Sequence, residues 1–191
     1  GGVTVSRANL HNPDWIEDVG LGVEDAVSVE RAGDVIPQVA EVLESNSEMH
    51  YEFPEQCPVC ESEVIRDGPI ARCTGGLSCE AQLRRSVEHY ASRKGMDMDG
   101  FGEQTVRQLM DAGLVGDITD LYELDKQSLM SLEGMGEKSA ENLLTAIEDT
   151  RTPELDNFIT ALGIREVGGS VAKVLAMEFG TFEAFQTATT D

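Results

Sequence analysis

A chain of 191 residues that is 40% hydrophobic but only 5% aromatic suits a string of small modules and argues against one large core. Thirty-six acidic side chains against fourteen basic ones give a net charge of −22, distributed as −10 over residues 1–56, −2 over 57–82 and −10 over 83–191, which excludes an acidic tail. No apolar run approaches the length of a membrane span, and Gly1-Gly2-Val3-Thr4-Val5 has neither a basic segment nor an apolar signal core, so the expectation is no membrane and a cytoplasmic protein.

The missing initiator methionine suggests a fragment or a processed chain. Dispersed carboxylates leave two readings of the charge. One is a solvated surface that repels nucleic acid. The other is a protein from a salt-accumulating cell, where at molar salt the Debye length is about 3 Å and self-repulsion is screened. The second is the expectation taken forward.

Residues 1–45 read as strands: Val3, Val5, Val27, Val29 and Arg31 alternate with polar neighbours, and Val35, Ile36, Val39 and Val42 continue the pattern. Asn12-Pro13, Gly20 and Gly22 mark loops, and Pro37 inside a strand-like run belongs at a sheet edge or bulge. Two or three strands are too few for a stable sheet alone, so residues 1–50 are expected to be the end of a small β-barrel. Residues 46–56 read as a polar linker.

Cys57-Pro-Val-Cys60, with Cys73 and Cys79 following, points to a metal before disulfides in a chain with no mark of export. A C-x-x-C turn aims two thiolates at one point, and a second pair completes a tetrahedron that suits zinc. Four thiolates leave no open position, so such a zinc is structural. A rubredoxin-like iron centre wants C-x-x-C at both ends, from which Cys73 and Cys79 depart; metal analysis separates the two. Residues 51–82 are thus a small four-cysteine zinc module, and His89 is expected on the helix after it, through residues 80–92, where Leu83, Val87 and Tyr90 fall at helical spacing.

Residues 83–191 then repeat a unit. Asp99-Gly100-Phe101-Gly102-Glu103 aligns with Glu133-Gly134-Met135-Gly136-Glu137, 34 residues on, and a third copy, Arg165-Glu166-Val167-Gly168-Gly169, keeps the second glycine but has Glu166 for the first. Val106, Leu109 and Met110 match Ala140, Leu143 and Leu144, Leu175 takes the Leu109 place, and Met98, Leu132 and Ile164 should anchor the turns to the core. This is the helix–hairpin–helix pattern. Its glycines let a turn approach a phosphate, and N–H groups opening the second helix point at the anion without reading base sequence. Backbone dipoles need no basic surface, which reconciles DNA binding with −22. Lys138, Lys173 and Arg107 could add local positive charge.

With these residues laid out, the chain resembles an NAD-dependent DNA ligase of the bacterial type. The resemblance rests on Val5–Asn12 with Arg31-Ala-Gly-Asp-Val-Ile-Pro37, on the cysteine module with Arg72-Cys73-Thr74-Gly75-Gly76, and on the hairpins with Leu162-Gly163-Ile164-Arg165-Glu166-Val167-Gly168. It implies a multi-module α+β chain: part of an OB-fold barrel, a small four-cysteine zinc finger with Cys57, Cys60, Cys73 and Cys79 as ligands, and three of the family's four hairpins. It implies that Arg31, Gly100, Gly102, Gly134, Gly136, Gly168 and Lys138 bind nicked duplex DNA, as a monomer. It further implies an enzyme that uses NAD and Mg²⁺ to seal nicks in replication and repair, through enzyme-AMP and DNA-adenylate intermediates. The family's K-x-D-G lysine is not among Lys94, Lys126, Lys138 and Lys173, so this fragment is expected to lack catalysis. The alternative is a non-enzymatic zinc-containing hairpin protein, which would have no use for the OB-like Arg31–Pro37 stretch.

Overall fold

The computed structural model describes residues 4–33, 36–46 and 51–189, so expectations for Val3 and Val35 lie outside the described residues. The chain divides into two compact units, Gly1–Gly76 and Leu77–Asp191.

In the first unit, β1 (Ala26–Ala32) pairs antiparallel with β2 (Ile36–Glu44), from Ala32↔Ile36 to Ala26↔Glu44, with register irregularities at Ala26/Val27 and Ser28/Val29. Pro37 does sit at an edge position. Its carbonyl accepts from Asn9 N–H at 2.8 Å, and Val39 N–H donates to the Asn9 carbonyl at 3.0 Å. Because N and O of one residue point to the same side of a strand, the donor Pro37 lacks would have faced Asn9, and the β1 ladder loses nothing.

The strand reading of residues 1–45 needs two corrections: the described segment around Val5 forms no strand, with only Asn9 making an isolated bridge to Gln38, and Pro13–Asp18 is a helix, α1. The Asn12 side chain accepts from Trp15 N–H at 2.9 Å, Pro13 supplies a ready-made helical φ at the first position, and Ile16 turns inward. The linker reading of 46–56 is also too plain, since Tyr51 N–H bonds the Leu21 carbonyl and Gln56 bridges Glu63. A second hairpin, β3 (Val64–Asp67) with β4 (Ile70–Cys73), closes through Gly68-Pro69. Gly68 at φ +57° followed by a proline fits the type II′ turn that matches strand twist.

The second unit is helical: α2 (Glu80–Ala91), α3 (Glu103–Asp111), α4 (Lys126–Met130), α5 (Glu137–Glu148), α6 (Leu155–Ala161), α7 (Gly169–Phe179) and α8 (Phe182–Gln186). Val106, Leu109, Leu121 and Leu129 have no exposed surface and centre one core that Val87 of α2 joins. A buried polar chain runs beside it: the Tyr90 and Tyr122 hydroxyls are 2.9 Å apart, Tyr122 reaches Thr150 Oγ1 at 3.2 Å, and Thr150 donates to the Ile147 carbonyl. His89 lies on α2, its Nε2 2.9 Å from the Thr160 carbonyl oxygen. Among the described residues no helix is long and apolar enough to cross a membrane.

Candidate metal centre and nucleic-acid interface

The sulfurs of Cys57, Cys60, Cys73 and Cys79 all lie within 4.8 Å of one another. Cys57 opens the turn after Gln56, held by Glu61 N–H to the Cys57 carbonyl and Cys57 N–H to the Ser62 carbonyl. Cys73 ends β4, where Gly75 N–H donates to its sulfur at 3.2 Å, and Cys79 is the N-cap of α2. The Cys60 and Cys73 sulfurs are 3.4 Å apart, far beyond an S–S bond. A tetrahedron with Zn–S bonds of about 2.3 Å has edges of about 3.8 Å, a size that sulfurs all lying within 4.8 Å of one another can hold. Backbone N–H groups, Val59 first and then Cys60, hold the Cys57 thiol below its ordinary range. On Cys73 the largest influence, Gly75 N–H, also lowers the pKa, but burial and the neighbouring Cys60 and Cys57 sulfurs outweigh it and lift the thiol to about 11. A divalent cation in the cage reverses that crowding, because each thiolate then faces a positive charge.

The three repeat turns share one backbone. Phe101 N–H bonds the Met98 carbonyl, Met135 the Leu132 carbonyl, and Val167 the Ile164 carbonyl. Gly100 and Gly134 take φ of +87° and +75°, and Glu166 adopts +63° in the same place, so the third turn keeps its shape at the cost of an unfavourable conformation for a side chain. Gly100 is required twice, since a Cβ there would come within 2.7 Å of Leu143. Ile164 corrects an expectation: Met98 and Leu132 are buried in the core, but Ile164 is 41% exposed and stands outside the core cluster.

The second glycine of each turn is the N-cap of α3, α5 or α7, and the first helical bonds run from Val106, Ala140 and Ala172 back to Gly102, Gly136 and Gly168. No side chain caps these three starts, whereas Asn12, Asp125 and Thr181 cap α1, α4 and α8. The three N-cap glycines are extended, with φ between −75° and −89°, and a Cβ on any of them would meet nothing within 4 Å. Neither conformation nor packing within the chain demands glycine there. What the absent side chain leaves is bare N–H groups and room in front of them.

Gly100 and Gly134 both border a cavity of about 780 Å³ between the first two hairpins, whose walls carry the uncharged Gln104, Gln108, Ser139 and Asn142 together with the carboxylates of Asp99, Glu133 and Asp149. Lys138 is the second residue of α5, exposed and in no ion pair among the described residues. Glu137 beside it is held by Lys126, whose Nζ is 2.7 Å from both Glu137 and Glu141. Arg107 is turned to Asp111. Arg31 is exposed on β1 opposite Pro37, in the first unit, and lines a different cavity together with Arg7. Arg7 was not singled out from the sequence, although it and Arg31 are the only basic residues among the first 56, which was the available signal.

Four family models match in chain order. The NAD-dependent DNA ligase OB-fold domain matches residues 1–51, and the NAD-dependent DNA ligase C4 zinc finger domain residues 56–81. A SAM-like helix-hairpin-helix tandem matches residues 96–149, and a helix-hairpin-helix motif residues 157–191. Among curated relatives, the DNA ligase of Haloarcula marismortui is 58% identical over 188 residues, covering 98% of this chain and 27% of the relative. That of Natronomonas pharaonis is 54% identical over 190 residues, covering 100% and 28%. That of Cellvibrio japonicus is 49% identical over 193 residues, covering 98% and 28%. The chain therefore spans little more than a quarter of the length of these relatives. The first two come from salt-loving organisms, in keeping with the dispersed acidity.

Proposed function

The chain belongs to the NAD-dependent DNA ligase family, and we propose that it is the stretch of such an enzyme that grips duplex DNA at a nick. Residues 1–50 are the end of the OB-fold domain, 51–82 the zinc module and 83–191 three helix–hairpin–helix units. The observation that carries this reading is the triple recurrence of an uncapped, glycine-opened helix start with open space before it. Phosphate oxygens approach Gly102, Gly136 and Gly168, with Gly100 and Gly134 shaping their turns, and accept from the N–H groups that follow. Lys138 adds a cation beside the second turn, and Arg31 contributes from the OB segment.

Zinc held by Cys57, Cys60, Cys73 and Cys79 supplies a crosslink and no catalytic chemistry. The whole enzyme, a cytoplasmic monomer serving replication and repair, seals the nick through enzyme-AMP and DNA-adenylate intermediates. Its NAD, its Mg²⁺ and its nucleotide-accepting lysine are handled by residues outside this chain, which has no K-x-D-G.

Fluorescence anisotropy of labelled nicked duplex across a KCl series tests this. The 191-residue chain should bind nicked duplex of any sequence as a monomer, and should take no AMP from NAD. Absence of duplex binding at every salt concentration would sink the reading, and AMP transfer by this chain would overturn the division of labour.

A further inference from the structure

We propose that the cleft shared by Arg7 and Arg31 in the OB segment is a phosphate-binding site, with Arg7 its second arginine ligand; this rests on the duplex-gripping reading above. The cleft, of about 650 Å³, is lined by Thr4, Ser6, Arg7, Glu30, Arg31 and Pro37 among others. The fold brings the two arginines together from opposite sides of β2. Asn9 pairs with Gln38 on one edge, so the segment carrying Arg7 runs along that edge, while Arg31 pairs with Pro37 across the other.

The cleft is the one cavity among those described that is lined by two arginines. None of the ion pairs among the described residues involves Arg7 or Arg31, a state they share with Arg72, Arg93 and Arg165, whereas Arg66, Arg84, Arg85, Arg107 and Arg151 are each engaged by carboxylates. The other described cavities that contain an arginine contain one of the engaged ones, Arg66 or Arg151. Glu30 is the one carboxylate on the wall, and its Oε1 is occupied by the Gln38 side-chain amide at 2.8 Å. Two guanidinium groups and the Thr4 and Ser6 hydroxyls thus border one cavity as potential donors, a set that suits the several oxygens of a phosphate. At high salt only contact-range attraction survives screening, which favours such a fork over a diffuse basic surface.

The phosphate can belong to the DNA backbone or to a free pyrophosphate-containing nucleotide. Anisotropy with nicked duplex, using the 191-residue chain and its Arg7→Ala, Arg7→Lys and Arg7→Ala/Arg31→Ala variants, tests the site, with Arg93→Ala as a control for loss of one exposed charge. Arg7→Ala should weaken binding by about tenfold and flatten the log–log salt dependence by about one. Arg7→Lys should recover part of the loss, and the melting temperature should not move. Unchanged affinity and slope in Arg7→Ala, or an equal loss in Arg93→Ala, would refute it. If inorganic pyrophosphate competes with duplex in the parent chain but not against the double variant, the site takes phosphate from either source. If it does not compete while Arg7→Ala still weakens binding, the source is DNA. Should the parent chain bind pyrophosphate but no duplex, the DNA reading fails and the cleft stands.

Discussion

Between Tyr51 and Gly76 the one buried residue is Cys57, whereas from Val87 to Ala161 sixteen buried residues form a continuous core. The β3–β4 segment has a short ladder and a cluster of thiols; the helices have Leu109, Leu121, Leu129 and their neighbours. Order in the first comes from a metal and in the second from apolar burial, so the two should fail under different insults. The helical region holds a second contrast. Thr105, Gln108 and Asp111 of the first hairpin correspond to Ser139, Asn142 and Thr145 of the second, but to Val171, Val174 and Met177 of the third. All of these from the first two hairpins except Asp111 line a shared polar cavity, while Val174 and Met177 stand 66% and 86% exposed. One backbone turn is therefore dressed with two different surfaces, and the likeness lies in the turn.

The largest effect expected is from removing the metal. Structural zinc in small modules is worth on the order of 10–16 kcal/mol apparent, so chelation should abolish amide protection of β3 and β4 while helical circular dichroism persists. Acid should do the same, because protons compete for the thiolates and zinc affinity falls as pH falls; a colorimetric zinc-release titration reads this. Loss of helix and hairpin together on chelation would break the contrast.

Leu109→Ala, in the helical core, should cost about 2–5 kcal/mol in denaturant melts and leave bound zinc stoichiometric. Gly136→Ala probes function without the fold. With open space at Cβ and an ordinary φ, it should cost less than about 1 kcal/mol of stability. It should nevertheless weaken duplex binding about tenfold, since the new methyl stands before the N–H groups that meet phosphate. The smallest effect sharpens the hairpin comparison: Glu166→Gly relieves the φ of +63° and should raise stability by about 1 kcal/mol or less, measured by thermal melting.

Much of this molecule was legible in its residues because the relevant signals are local. Cysteine spacing determined a closed four-thiolate centre, helical periodicity after Cys79 determined α2, and the recurrence of Gly-x-Gly determined three equivalent turns. The α1 helix was hidden by its shortness, with only Asn12 and Pro13 to announce it. Other features depend on what approaches from elsewhere in the chain. Whether Ile164 is buried like Met98 and Leu132 is decided by the packing around its turn, which no spacing encodes. That Gly100 has no room beside Leu143, while Gly136 has nothing near it, separates a glycine needed by the fold from one that leaves a surface open. Arg7 and Arg31 lie 24 positions apart, and only the pairing of Asn9 and β1 with opposite edges of β2 makes them one site.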